Sequence, residues 1–184
     1  MLKIVTAPNE LLAQKAKKVV KFNTDLINLV SQMRETLANT RDPEGVGLAA
    51  PQVGQSLQLF IVQEDPQKEA FVVINPKIIE AKEVKNSKKK KTKRNTVKLE
   101  GCLSLPNIWG EVKRAHKIKL SYQNEKGETL TKTFTGFESI IVQHEYDHLQ
   151  GILFPKRVIE QKGVLYKSHK NQKGEDVFDE IDLP

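Results

Sequence analysis

The nine residues QHEYDHLQG, from Gln143 to Gly151, contain the pattern His-Glu-x-x-His. On a helix, residues four apart have side chains about 5–6 Å from one another. His144 and His148 can therefore share one metal ion at about 2.0–2.1 Å each. Glu145 falls on the adjacent edge of the same helix, within reach of the proton of a water activated by that ion. The residues upstream extend the pattern: Phe137, Ile140, Ile141, His144 and His148 recur at i, i+3, i+4, i+7 and i+11. That spacing is one face of one helix, expected to point into the core. A lone buried histidine is more often a hydrogen-bonded core residue than a ligand, but two, one turn apart with a glutamate between them, point to metal. Thr135-Gly-Phe-Glu138 fits the capping-box pattern at the helix start, and Gly151 suits its end.

A catalytic site of this type normally takes three protein ligands, and the stretch supplies two. An H-x-x-G-x-x-H extension would put a third histidine at position 154, which is Phe154 here. Glu160 lies twelve residues past His148, close to Pro155 and Gly163, which is poor support for a ligand helix. His116 and His169 sit in polar contexts that suit the surface. Cys102, within EGCLSLP (100–106), is flanked by small and apolar residues. A lone cysteine is more often inert and buried than functional. Thiolate nevertheless binds zinc and ferrous iron well, and a Cys/His/His set leaves a coordination position open. Residue chemistry favours Cys102 and leaves the other three open.

The wider chain limits the setting. At 184 residues it is long enough for one well-filled core and short for two. With 38% hydrophobic and 29% charged residues it reads as an ordinary globular protein. No apolar run is long enough to span a membrane, and MLKIVTAPNE lacks the apolar centre of a secretory signal. One cysteine permits no internal disulfide and fits a reducing compartment, so a cytoplasmic location is expected. The net charge of +7 is local in origin. Residues 82–98 carry nine Lys and Arg against one Glu, a net of +8, which leaves −1 for the rest. Such a block is expected to be a solvated surface insertion, with weak contact to ribosomal RNA phosphates as the competing role.

Secondary-structure signals are clear in places. FNTDLINLVSQMRETLANT sets Leu26, Leu29, Val30, Met33 and Leu37 at helical spacing, with Asn23 or Thr24 to cap it. LQLFIV and AFVVINP read as strands, and HKIKLSYQNEKGETLTKTF as a hairpin turning at Asn124–Gly127. The tail 164–184 has two alternating stretches around Asn171–Gly174, a further hairpin pattern. One domain over 1–184 is expected.

Three motifs together carry a family resemblance. GVGLAAPQ (45–52), EGCLS (100–104) and QHEYDHLQG (143–151) resemble, in order, the signature motifs of peptide deformylases. IVTAPNELL (4–12) and IWGEVKR (108–114) are also similar to family sequence, so the likeness spans roughly residues 1–157. The resemblance implies an α+β domain whose antiparallel sheets surround a central metal-binding helix. It implies Cys102, His144 and His148 as ligands of one divalent ion, generally ferrous iron, Fe(2+), with Zn(2+) or Ni(2+) able to replace it. The implied reaction removes the formyl group from the N-terminal formylmethionine of newly synthesised polypeptides. Glu145 would carry the proton, while the Gln52 side chain and the Leu103 backbone N–H would stabilise the oxyanion. Gly45, Val46 and Gly47 would meet the peptide backbone, and Phe137, Ile140 and Ile141 would wall the methionine pocket. From their place beside the histidines, Asp147 and Gln143 are candidates to support the ligands, a solvent-facing helix position being the equal alternative for Asp147. Two alternatives are a zinc endopeptidase, which leaves EGCLS and Gln52 unexplained, and a non-catalytic peptide- or RNA-binding relative, which has no need of Glu145.

Overall fold

In the computed structural model, which describes residues 1–40, 45–82 and 99–181, an extended start leads to a first helix, α1 (Thr24–Ala38). Asn23 caps it: its side-chain oxygen accepts the Leu26 N–H at 3.2 Å. Leu26, Val30, Met33 and Leu37 form the buried stripe, with Leu29 partly buried against it.

Two antiparallel sheets follow. The first has five strands: β1 (Gly47–Ala49), β2 (Leu59–Val62), β3 (Phe71–Lys82), β6 (Lys117–Gln123) and β7 (Thr129–Thr135), neighbours in that order. The second has four: β4 (Leu99–Cys102), β5 (Leu105–Glu111), β8 (Leu165–Lys170) and β9 (Asp176–Ile181). Helix α2 (Gly136–Leu149) carries the His-Glu-x-x-His pattern, and a short α3 (Phe154–Glu160) follows it.

The sequence of β2, LFIV, is apolar throughout because both faces of that strand are covered. Leu59 and Ile61 pack with the α1 stripe, whereas Phe60 and Val62 pack with Val73, Phe134 and the α2 residues Ile141, Val142 and Leu149. Alternate residues of a strand face opposite ways, so β2 serves two layers at once. Each fully buried side chain of this size contributes about 1.5–3 kcal/mol. A smaller cluster of Cys102, Phe154, Val158 and Leu165 seats α3 on the second sheet. The fold is thus a single α+β domain with α2 held between its layers.

Both hairpin turns use the same device. Asn124 Oδ1 accepts the backbone N–H groups of Lys126 and Glu128 between β6 and β7; Asn171 Oδ1 accepts those of Lys173 and Glu175 between β8 and β9. An asparagine side chain closing its own turn is the reason both stretches reverse where they do.

Three local expectations need correction. Thr135 makes no side-chain bond at the α2 N-terminus, so the capping box is absent; Glu138 instead reaches Lys132 Nζ at 2.8 Å. Residues after Phe154 do form a helix, because Pro155 sits in its first turn, where a missing N–H costs nothing. The stripe Phe137–His148 does not simply face the core. Ile141 and His148 are buried, but Phe137 is exposed and Ile140 and His144 are half-buried along a cleft. The basic segment 82–98 starts inside β3, where Lys82 pairs with Glu80; residues 83–98 lie outside the described residues. No described helix is long and apolar enough to cross a membrane.

Candidate active site

Strand β4 ends at Cys102 with a shift of register, so that Cys102 pairs with Leu105 after Gly101 has paired with Trp109. The kink turns the thiol toward α2. Cys102 Sγ lies 3.3 Å from His148 Nε2, and the donor atoms of Cys102, His144 and His148 all fall within 4.8 Å of one another. Two ligands bound at 2.0 and 2.3 Å to one tetrahedral ion are about 3.5 Å apart. The set therefore fits a divalent metal by spacing as well as by chemistry.

A chain of buried charges fixes His144. His144 Nδ1 lies 3.1 Å from Glu100 Oε2, which leaves Nε2 as its donor to an ion. Arg114 donates to both oxygens of Glu100 at 2.9 Å and to Asp147 at 2.6 Å, and Arg157 donates to the far side of Asp147 at 2.7 Å. The side chains of Glu100, Arg114 and Asp147 are each less than a tenth exposed. Burial alone would raise the Glu100 pKa, but the bonds from His144 and Arg114 outweigh it and hold the carboxyl below its ordinary value. A ligand imidazole anchored through its second nitrogen keeps its orientation. For His148, whose Nδ1 has no partner among the described residues, burial pushes the pKa well down, which favours the neutral, ligating form.

Glu145 is almost wholly buried, and its Oε2 makes no hydrogen bond among the described residues. Burial pushes its carboxyl up to about 7, against the opposing pull of His144 and Arg114. It lies directly against Gly47: a Cβ there would stand 2.8 Å from Glu145 Cδ. Gln52 is equally buried. Its Oε1 accepts the Ala49 N–H at 2.8 Å, which aims Nε2 at Ser104 Oγ, 3.2 Å away, and at Cys102 Sγ, 3.5 Å away.

These groups open onto a cleft of about 230 Å³. Gly45, Val46, Gly47 and Gln52 border it, as do residues Leu99 to Leu103, with Phe137, Ile140 and Ile141 contributed by α2. Every residue singled out for ligation, proton transfer, oxyanion contact or substrate contact thus belongs to one place, except that His148 lies just behind the lining. Among the described residues Gln143 makes no hydrogen bond to the ligands; it holds the Ala115 backbone N–H and carbonyl and the Ser139 carbonyl. Glu160 pairs with Arg157 and the exposed His169 with Asp179; His116 is exposed too, and none of the three joins the cluster. Sequence reasoning gave no role to Glu100, Arg114 or Arg157, and none to Trp109 and Val112 in the cleft. The first two lie inside motifs already noted, but nothing along the chain says that they meet.

Comparison with known proteins agrees. Residues 1–163 match the model of the family described as polypeptide deformylase. A peptide deformylase of Desulfotalea psychrophila is 39% identical over 171 residues, covering 91% of this chain and 93% of that protein. Peptide deformylase 1 of Bacillus cereus is 39% identical over 158 residues, 86% of this chain and 92% of its own. The crystal structure of peptide deformylase from Thermotoga maritima superposes with a TM-score of 0.72 at 36% identity, covering 85% of this chain and 97% of that one. On the strength of the metal-ligand cluster, the cleft and these likenesses together, the chain belongs to the polypeptide deformylase family.

Proposed function

We propose that the enzyme hydrolyses the formyl amide of N-terminal formylmethionine on newly synthesised polypeptides in the cytoplasm, with ferrous iron as its resident ion. One observation carries the reading: a thiol and two imidazoles converge beside a buried carboxyl, one oxygen of which has no hydrogen bond among the described residues, at the side of an apolar cleft. When bound by Cys102, His144 and His148, a divalent ion supplies Lewis-acid activation of water. A soft thiolate with imidazoles suits ferrous iron and zinc alike, and Ni(2+) is a third occupant to test.

The protein's own groups do the rest. Glu145, buried beside the ligands with Oε2 free of hydrogen bonds among the described residues, takes the proton of the attacking water and passes it to the leaving amine. Gln52 Nε2, aimed by the Ala49 N–H on its other end, donates to the oxygen that gains charge; the Leu103 N–H is its partner in that task. Gly45, Val46 and Gly47 offer backbone groups to an extended peptide, and Phe137, Ile140 and Ile141 receive the methionine side chain. A weak attraction of segment 82–98 for ribosomal RNA rests on its composition alone.

The test uses protein purified and assayed without oxygen. Formate should be released from formyl-Met-Ala-Ser, with no cleavage of an internal bond in a blocked peptide. Internal cleavage without formate release overturns the proposal in favour of an endopeptidase. Binding of the formylated peptide without any hydrolysis overturns it in favour of a non-catalytic relative.

A further inference from the structure

The hairpin β8–β9 begins at Leu165, beyond the residues 1–163 that match the family model. It nevertheless reaches the cleft through one side chain. Trp109 on β5 pairs with Gly101 of β4 on one side and with Tyr166 of β8 on the other. Residues opposite one another in register project from the same face, and so do residues two apart on one strand. Gly101, Trp109, Ser168 and Phe178 therefore share a face, since Ser168 pairs with Phe178.

The contacts follow that register. The indole lies flat over Gly101: a Cβ there would be 2.7 to 3.0 Å from three of its ring atoms. The indole N–H donates to Ser168 Oγ at 2.9 Å. The Phe178 ring meets it edge-on, with centroids 5.8 Å apart and planes at 79°. The half-buried indole that results is part of the cleft lining, next to the strand that ends at Cys102.

We propose that Ser168 and Phe178 are positioning residues that hold Trp109 as a specificity wall for the substrate residues following formylmethionine. The inference rests on the deformylase reading of the site. An extended peptide advances about 3.3 Å per residue, so one whose formyl group is at Cys102 passes Gly101 and its indole cover within its next two or three residues. An indole face favours apolar and aromatic side chains there over glycine. The hydrogen bond and the edge contact fix the ring plane at no cost to the substrate.

Trp109 is the chain's only tryptophan, so its emission reports the wall directly. The experiment compares formyl-Met-amide, formyl-Met-Gly-Gly and formyl-Met-Leu-Phe on the metal-loaded full chain. Ser168→Ala and Phe178→Ala should raise KM for formyl-Met-Leu-Phe about three- to tenfold. In both variants kcat should stay within about twofold, and formyl-Met-amide should be unaffected. Trp109 emission should shift, and Ser168→Thr, which keeps the hydroxyl, should restore KM and emission together. An equal loss on all three substrates, or an unchanged KM for formyl-Met-Leu-Phe despite shifted emission, overturns the wall. Should Phe178→Ala unfold, the Ser168 pair decides alone. If the parent protein releases no formate at all, the deformylase reading fails. The wall is then judged by Trp109 emission on adding Met-Leu-Phe: a saturable change greater than that with Met-Gly-Gly supports it, and no difference overturns it.

Discussion

Gly47→Ala perturbs the proposed proton carrier without touching a ligand. The new Cβ would stand 2.8 Å from Glu145 Cδ and 2.9 Å from Cγ, where ordinary contact begins at 3.4 Å. Glu145 Oε1 stands closer still, so something must move by at least 0.6 Å, the difference between 3.4 and 2.8 at Cδ. Gly47 is held in β1 opposite Val62, and Glu145 is buried, so the carboxyl has the more freedom of the two but little room. A displacement of 1 Å at a reacting group costs about 100-fold in rate, so about 10-fold or more is expected in kcat. The ion should stay, because Cys102, His144 and His148 are not displaced. Metal content and steady-state rates on a formyl-Met peptide measure both effects. The double variant with Glu145→Ala sharpens the argument: once the carboxyl is gone, Gly47→Ala should add almost nothing. An equal penalty in both backgrounds would refute the assignment and place the role of Gly47 in peptide contact instead.

Other expectations follow from the same geometry. In protein stripped of metal by a chelator, Glu145 holds its proton up to about 7 when folded but only to 4.5 when unfolded. The folded state then binds more protons between those values, so this group lowers stability as pH rises, by about 3 kcal/mol in total. Glu145→Gln should remove that loss, and chelated parent and variant with parallel denaturation midpoints at pH 5 and pH 8 would contradict it. Glu100→Gln should weaken metal binding about 10- to 100-fold by loosening His144, read by competition with a chromophoric chelator. Arg114→Met should destabilise the fold by about 3–5 kcal/mol, because Glu100 and Asp147 lose their shared buried cation. In cobalt-substituted protein, a near-ultraviolet thiolate band should be present and should vanish in Cys102→Ser; its absence from the parent would exclude the thiolate ligand.

What the sequence made legible was short in range. The His-Glu-x-x-His helix, the α1 stripe and the turn at Asn124 all depend on residues within about four positions of each other, where local rules hold. The capping box failed for the same reason: Glu138 had a matching partner in its own turn but found a better one, Lys132, on the preceding strand. The anchor of His144 was out of reach. Arg114 meets Glu100 from 14 residues away and Asp147 from 33, and His144 meets Glu100 across 44. Such pairs are made by packing and leave no periodic trace. The stripe on α2 was visible, but whether its upper half faced protein or solvent depended on where β1 and β4 stopped.

Those two strands carry one more consequence. Among the described residues β1 and β4 are outer strands of different sheets, of three and four residues, and both border the cleft. Exposed edges usually invite pairing with other molecules, and proteins guard them by keeping them short. On the proposed function the guard would also act as a sorting device. A gap between two such short edges would suit a single extended backbone and disfavour one already committed to a helix or sheet. Deformylation would then be a matter of timing: a chain end would qualify while it is still unstructured and lose access once it folds.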